Sequence, residues 1–243
     1  MEKRGISQEG LKLIACITMF IDHVAATLVW NYYLEIRSFE LYCFYNALRL
    51  IGRVAFPIFC FLLVEGAHYT RNPKKYAVRL AIGAVLAEIP FDIAFFDGIT
   101  LAHSSVMVTL LLGFGMIQTM KKVEGFWKFV VILPFYVAAE LLGTDYGGLG
   151  IEVIAVLALT RGVKYEKLLQ LLGLAMILMP GQAWNLGFMY ANMEAFAVLA
   201  VIPIFCYSGK KLTGNKAVQW GFYLFYPVHI GVLCVLEWLM FGA

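Results

Sequence analysis

Several stretches of this chain stay apolar over lengths that a soluble core does not use. The first runs from about Leu11 to Trp30, which matches the ~20 residues that carry a helix across bilayer hydrocarbon. Composition agrees: 62% of the 243 residues are hydrophobic and 14% charged, against about 45–50% and about 25% in a soluble domain. Mean hydropathy is +0.80. A chain this short cannot bury that much apolar surface in one soluble core. A soluble globular enzyme, a disordered protein and a fibrous repeat are thereby excluded. A β-barrel would show alternating segments of about ten residues, whereas these runs are continuous. The class that remains is all-α: a polytopic transmembrane helix bundle. The first run is too long for a signal-peptide core and carries Asp22 and His23, so it is read as a span rather than a cleaved leader.

Nine candidate spans follow from the apolar runs, at about 8–30, 43–67, 76–96, 104–120, 126–143, 147–160, 166–180, 191–207 and 218–241. The sixth and seventh are short for a full crossing. Basic residues fix the orientation. With the N-terminus inside, the cytoplasmic segments hold Lys3, Arg4, Arg71, Lys74, Lys75, Arg79, Lys121, Lys122, Lys128, Arg161, Lys164, Lys167, Lys210, Lys211 and Lys216. The outer connections hold Arg37 alone, a ratio of 15 to 1. This predicts a multi-pass protein of the cytoplasmic membrane, N-in and C-out. No linker, repeat or low-complexity segment divides it, so residues 1–243 read as one domain. The net charge of +3 points to no nucleic acid. The five cysteines are scattered, with no C-x-x-C pair, and read as packing residues rather than metal ligands.

Ionisable residues within spans are costly, about 2.5–3.5 kcal/mol or more each, and are functional candidates for that reason. Here they are Asp22, His23, Arg49, Arg53, Glu65, Glu88, Asp92, Glu140, Glu152, Glu194 and His229. Glu65, Glu140 and Glu152 fall near span ends, where water reaches them. His23 lies about 22 Å from the inner end of its span, and Arg49 reaches a similar depth from the opposite end. Arg53 follows Arg49 by one turn, on the same face. Two such arginines require anions, from Asp92 or Glu88 of the third span or from a phosphate or thioester ligand. Lys12 and His23 are eleven residues apart, close to three turns, and face one way about 16 Å apart. Asp22 points about 100° away. The third span holds Glu88-Ile89-Pro90-Phe91-Asp92, with both carboxylates on one face beside a proline kink. The last holds Phe222-Tyr223-Leu224-Phe225-Tyr226-Pro227-Val228-His229. Each feature also has a structural reading: ion pairing for the arginines and carboxylates, hydrogen-bonded packing for His23, and packing for Tyr223 and Tyr226.

Taken together, these segments resemble the TraX family, whose namesake acetylates the N-terminus of conjugative pilin. The resemblance rests on Leu11-Lys12-Leu13-Ile14-Ala15 and Met19-Phe20-Ile21-Asp22-His23. It continues through Leu48-Arg49-Leu50-Ile51-Gly52-Arg53-Val54-Ala55-Phe56-Pro57-Ile58-Phe59 and Glu65-Gly66. Thr70-Arg71-Asn72, Lys75-Tyr76, Arg79-Leu80 and Ile89-Pro90-Phe91-Asp92 extend it. Asp145-Tyr146-Gly147 with Gly150, and Phe225-Tyr226-Pro227-Val228-His229, complete it. TraX proteins are similar in turn to the membrane acyltransferases that include the acyltransferase-3 family. That group carries a basic residue, ten residues, then a catalytic histidine in an early helix, a spacing Lys12 and His23 reproduce. The resemblance implies acetyl-CoA as donor, used as co-substrate without a metal, and His23 as the key residue.

On that implication, Lys12, Arg53, Lys74, Lys75 and Arg79 are the candidates to hold acetyl-CoA. His23 takes a proton from an attacking amine or hydroxyl. Arg49 or Arg53 stabilises the oxyanion that forms on the thioester, and Asp92 orients His23 or pairs an arginine. Glu88, Tyr226 and His229 are the candidates for contact with the acceptor, whether peptide, glycan or small amine. Direct transfer and an acetyl-histidine intermediate both remain open. A proton-coupled transporter of a small solute uses the same residue types at membrane depth and is the competing reading. A non-catalytic membrane assembly factor is a third, which leaves the charge cluster unexplained.

Overall fold

The computed structural model describes residues 5–96, 98, 100, 102–211 and 215–242, without the side chain of Lys216. Lys3 and Arg4, two of the expected inner charges, lie outside the described residues. The chain is almost wholly helical. The helices are α1 (Gln8–Val24), α2 (Trp30–Ile36), α3 (Phe39–Gly52), α4 (Ala55–Tyr69), α5 (Pro73–Phe96), α6 (Val106–Met120), α7 (Trp127–Leu141), α8 (Gly147–Thr160), α9 (Glu166–Leu178), α10 (Val201–Phe205) and α11 (Lys216–Phe241). A π-helical turn at Ala25–Val29 joins α1 to α2, and a 3-10 helix at Met193–Ala200 leads into α10. A two-residue hairpin pairs β1 (Trp184–Asn185) with β2 (Tyr190–Ala191).

Each of the nine apolar stretches is helical. Three helical runs are long and apolar enough to cross a membrane unaided: Gln8–Ile36, Phe39–Tyr69 and Ala217–Phe241. The other helices are shorter or more charged, so length and composition alone carry three crossings rather than nine. The boundaries follow local chemistry. Ser7, Ser38 and Asn215 cap their helices by accepting from Gly10 N (3.0 Å), Leu41 N (3.1 Å) and Ala217 N (2.9 Å). Pro57 has no N–H to give the carbonyl of Arg53 and clashes with it, so the second run breaks at Arg53 and Val54.

The described chain divides into two compact units, Met1–Phe59 with Leu174–Ala243, and Cys60–Gly173. In the first, α1 packs against α3 and against α11, and α3 packs against the 3-10 helix. Leu11, Ala15, Cys16 and Met19 of α1 are buried there, with Ile230 and Leu233 of α11. In the second, α5 packs on α6, and α6 on both α7 and α8. Its helices approach closely at Gly113, where a Cβ would overlap Ile154. The large apolar residues left exposed, such as Val85, Leu141, Met176 and Leu239, are the surface that lipid covers in a membrane protein.

Candidate functional site

The first unit gathers the charged and titratable groups around the end of α1. The last turn of α1 carries Asp22 and His23 in sequence, so the two point about 100° apart. Because α1 lies against both α3 and α11, each residue meets a different neighbour. His23 faces α11, with Nδ1 2.6 Å from Nε2 of His229. The two imidazoles stack nearly parallel, at 4.9 Å and 7°. Tyr226, one turn before His229, lies edge-on to both rings at 5.8 Å. His229 is buried, and its Nδ1 lies 2.6 Å from the Phe225 carbonyl. Lys12 lies over the Phe222 ring at 5.1 Å. Phe222 and His229 are both on α11, so Lys12 and His23 share the face of α1 that the eleven-residue spacing predicts.

Asp22 faces α3 and joins its two arginines. Its Oδ2 accepts from Arg49 at 2.8 Å and from Arg53 at 2.7 Å. Arg53 reaches on to Glu194 Oε1 at 2.9 Å. Two carboxylates thus balance two guanidinium groups in a largely buried chain of ion pairs. Arg49 sits in the last turn of α3 and Arg53 at its C-cap, where the helix dipole favours cations. The arginines' carboxylate partners are Asp22 and Glu194, in place of the Asp92 or Glu88 expected from sequence. Helix geometry turns Asp22 about 100° away from His23. That same 100° turns it toward α3. Glu194 rides on the 3-10 helix, whose packing on α3 the sequence does not disclose.

The second unit holds Lys74, Lys75, Arg79, Glu88 and Asp92, all on α5. Lys74 and Lys75 are exposed in its first turn, and Arg79 lies over Tyr76 at 5.3 Å. Both carboxylates tie down the segment before α6. Glu88 Oε1 accepts from Ser105 N at 3.1 Å and Ser105 Oγ at 2.7 Å. Asp92 Oδ2 accepts from Thr100 N at 2.9 Å. A further cluster joins Glu65 to Arg161 at 2.6 Å, with Arg161 over Tyr69. Lys121 Nζ donates to the Ala67 carbonyl at 2.6 Å. Burial, and then the positive charge of Arg161, pull the Lys121 ammonium below the usual lysine range.

Two features of the site carry no sequence signature. The π turn at Ala25–Val29 opens after His23 with one residue between, and Thr27 Oγ1 donates to the His23 carbonyl at 2.8 Å. Such turns concentrate at functional positions. The second feature is Arg49 Nε, a buried donor with no hydrogen-bond partner among the described residues.

The family model for TraX protein matches residues 7–237. A probable fimbrial assembly protein FimC, serogroup H1, of Dichelobacter nodosus is 30% identical over 252 residues, covering 92% of this chain and 93% of that protein. An uncharacterised protein of Rickettsia prowazekii (strain Madrid E) is 29% identical over 167 residues, covering 66% of this chain and 57% of that protein. No solved structure matches.

Proposed function

The chain belongs to the TraX family, and on that premise we propose that it is an integral-membrane acetyltransferase. It moves an acetyl group from acetyl-CoA to an amine or hydroxyl acceptor, with the N-terminal amine of a pilin-like peptide as the favoured acceptor. The likeness to a probable fimbrial assembly protein supports that choice of acceptor. The protein sits in the cytoplasmic membrane, N-in and C-out, with the shorter helices completing about nine passes. It shares the Lys12–His23 arrangement with the acyltransferase-3 group.

The observation that carries the reading is the juxtaposition at the end of α1. A histidine that can accept a proton directly follows the aspartate that holds a part-buried arginine pair. The acceptor nitrogen attacks the thioester carbonyl, forming the C–N bond. His23 takes the proton that the nitrogen loses. Arg49, whose Nε hydrogen points at no acceptor among the described residues, offers that donor to the oxyanion. The C–S bond then breaks, and the proton passes to the departing sulfur. Lys12 and Arg53 supply positive charge for the phosphates of the donor. Asp92 and Glu88 act by holding the segment before α6, and Tyr226 contributes to the wall beside His23.

The test is acetyl transfer from labelled acetyl-CoA to a synthetic pilin-like peptide, using purified protein in detergent. His23→Ala is expected to lower kcat by about a hundredfold or more while acetyl-CoA binding persists by calorimetry. Lys12→Ala is expected to weaken that binding. A folded wild-type sample that neither binds acetyl-CoA nor transfers acetyl overturns the reading. The proton-coupled carrier then takes its place.

A further inference from the structure

The contacts of His229 determine which nitrogen of His23 is basic. A carbonyl oxygen only accepts, so the 2.6 Å contact with the Phe225 carbonyl puts the hydrogen of His229 on Nδ1. Neutral His229 therefore carries its lone pair on Nε2. That lone pair faces Nδ1 of His23 at 2.6 Å, so Nδ1 of His23 is the donor. The lone pair of neutral His23 is left on Nε2. A doubly protonated His229 would reverse this polarity. It would be a buried cation whose two ring partners are a carbonyl and a neutral imidazole, with no carboxylate on either nitrogen, and that arrangement is costly.

We propose that His229 is a positioning residue. The line Phe225 carbonyl–His229–His23 holds His23 in its Nδ1–H tautomer and makes Nε2 the nitrogen that takes the proton. The last step rests on the acetyltransferase reading. There, the acceptor N–H proton moves to His23 Nε2 as the C–N bond forms. The resulting imidazolium strengthens its Nδ1–H bond to His229, because a charged donor makes the stronger hydrogen bond. The proton leaves from Nε2 to the thiolate sulfur as the C–S bond breaks. His229 thus does the work that a carboxylate does in other histidine-based sites, holding tautomer and ring orientation. It does so without adding a negative charge to an apolar helix pair. Any acetyl-histidine intermediate would form on Nε2 by the same logic.

Nitrogen-15 NMR of histidine-labelled protein in detergent tests the relay directly. The chain has four histidines, and His23→Gln assigns the signals of His23. The wild type is expected to show a protonated Nδ1 and an unprotonated Nε2 at His23. His229→Gln keeps a side-chain acceptor, so it should preserve that tautomer and retain acetyl transfer within about tenfold. His229→Leu removes the acceptor, so it should scramble the tautomer and lower kcat by about a hundredfold. A wild-type His23 protonated on Nε2, or an unchanged His23 spectrum in His229→Leu, overturns the relay. Should His229→Leu fail to fold, the wild-type spectrum and the glutamine variant decide. An Nδ1–H tautomer in a protein without acetyl transfer overturns the enzymatic reading and leaves the tautomer assignment standing.

Discussion

Asp22 is the residue on which the charge arrangement turns. One of its carboxylate oxygens takes both arginines, so its loss takes that anion from two part-buried cations at once. Breaking a buried ion pair from one side costs about 3–5 kcal/mol. Asp22→Asn is expected to lose that much stability, read as a lower midpoint of thermal unfolding in detergent. A midpoint within a degree of wild type would show that the arginines are not held by Asp22. Gly52 makes the contact possible. It lies on α3 between the two arginines, and a Cβ there would overlap the Asp22 carboxyl group. Gly52→Ala should therefore cost about 1–3 kcal/mol, in the same assay, although alanine is the better helix former. In the proposed relay, the Nδ1 hydrogen of His23 goes to the His229 ring.

The 3-10 helix is the element whose placement matters most to the site, since it brings Glu194 to Arg53. Asn192 fixes that placement. Its Oδ1 accepts from Glu194 N at 3.0 Å and caps the helix. Its Nδ2 donates to the carbonyls of Leu178 (3.1 Å), Met179 (3.2 Å) and Pro180 (2.8 Å), which end α9 and begin the loop after it. Asn192→Ala removes both roles. The expected loss is about 1–2 kcal/mol, and denaturant unfolding in detergent would measure it; no loss would mean that packing alone holds the element. Pro57 acts at the same scale. By breaking α3 from α4 it leaves Arg53 at a helix end, where its side chain spans Asp22 and Glu194 rather than continuing a regular face.

For the whole molecule, the distribution of basic residues makes one statement that the helices alone do not. Fifteen of the nineteen basic residues fall in the segments that the proposed nine-pass arrangement puts inside, and the proposed orientation has the N-terminus there. An alkaline phosphatase fused after residue 243 is expected to be active, and a fluorescent protein fused there dark. Introduced cysteines beside Arg71 and Lys122 should resist a membrane-impermeant thiol reagent in intact cells. A fluorescent C-terminal fusion together with cysteines that react in intact cells would invert the orientation. It would also place the Lys12 end of α1 away from cytoplasmic acetyl-CoA.

The apolar runs determined the class and the helix positions, because bilayer hydrocarbon leaves a chain almost no alternative to helices that satisfy their own backbone. They also marked His23, Arg49, Arg53 and His229 as costly at depth, and the eleven-residue spacing put Lys12 and His23 on one face. Partnership was decided by tertiary packing alone. The arginines took Asp22 and Glu194, while Glu88 and Asp92 went to Ser105 and Thr100. Periodicity says which residues share a face of one helix, but not which helix that face meets. That depends on which helices lie on either side of α1. There, 100° of rotation separates a residue bound to two arginines from one bound to a histidine.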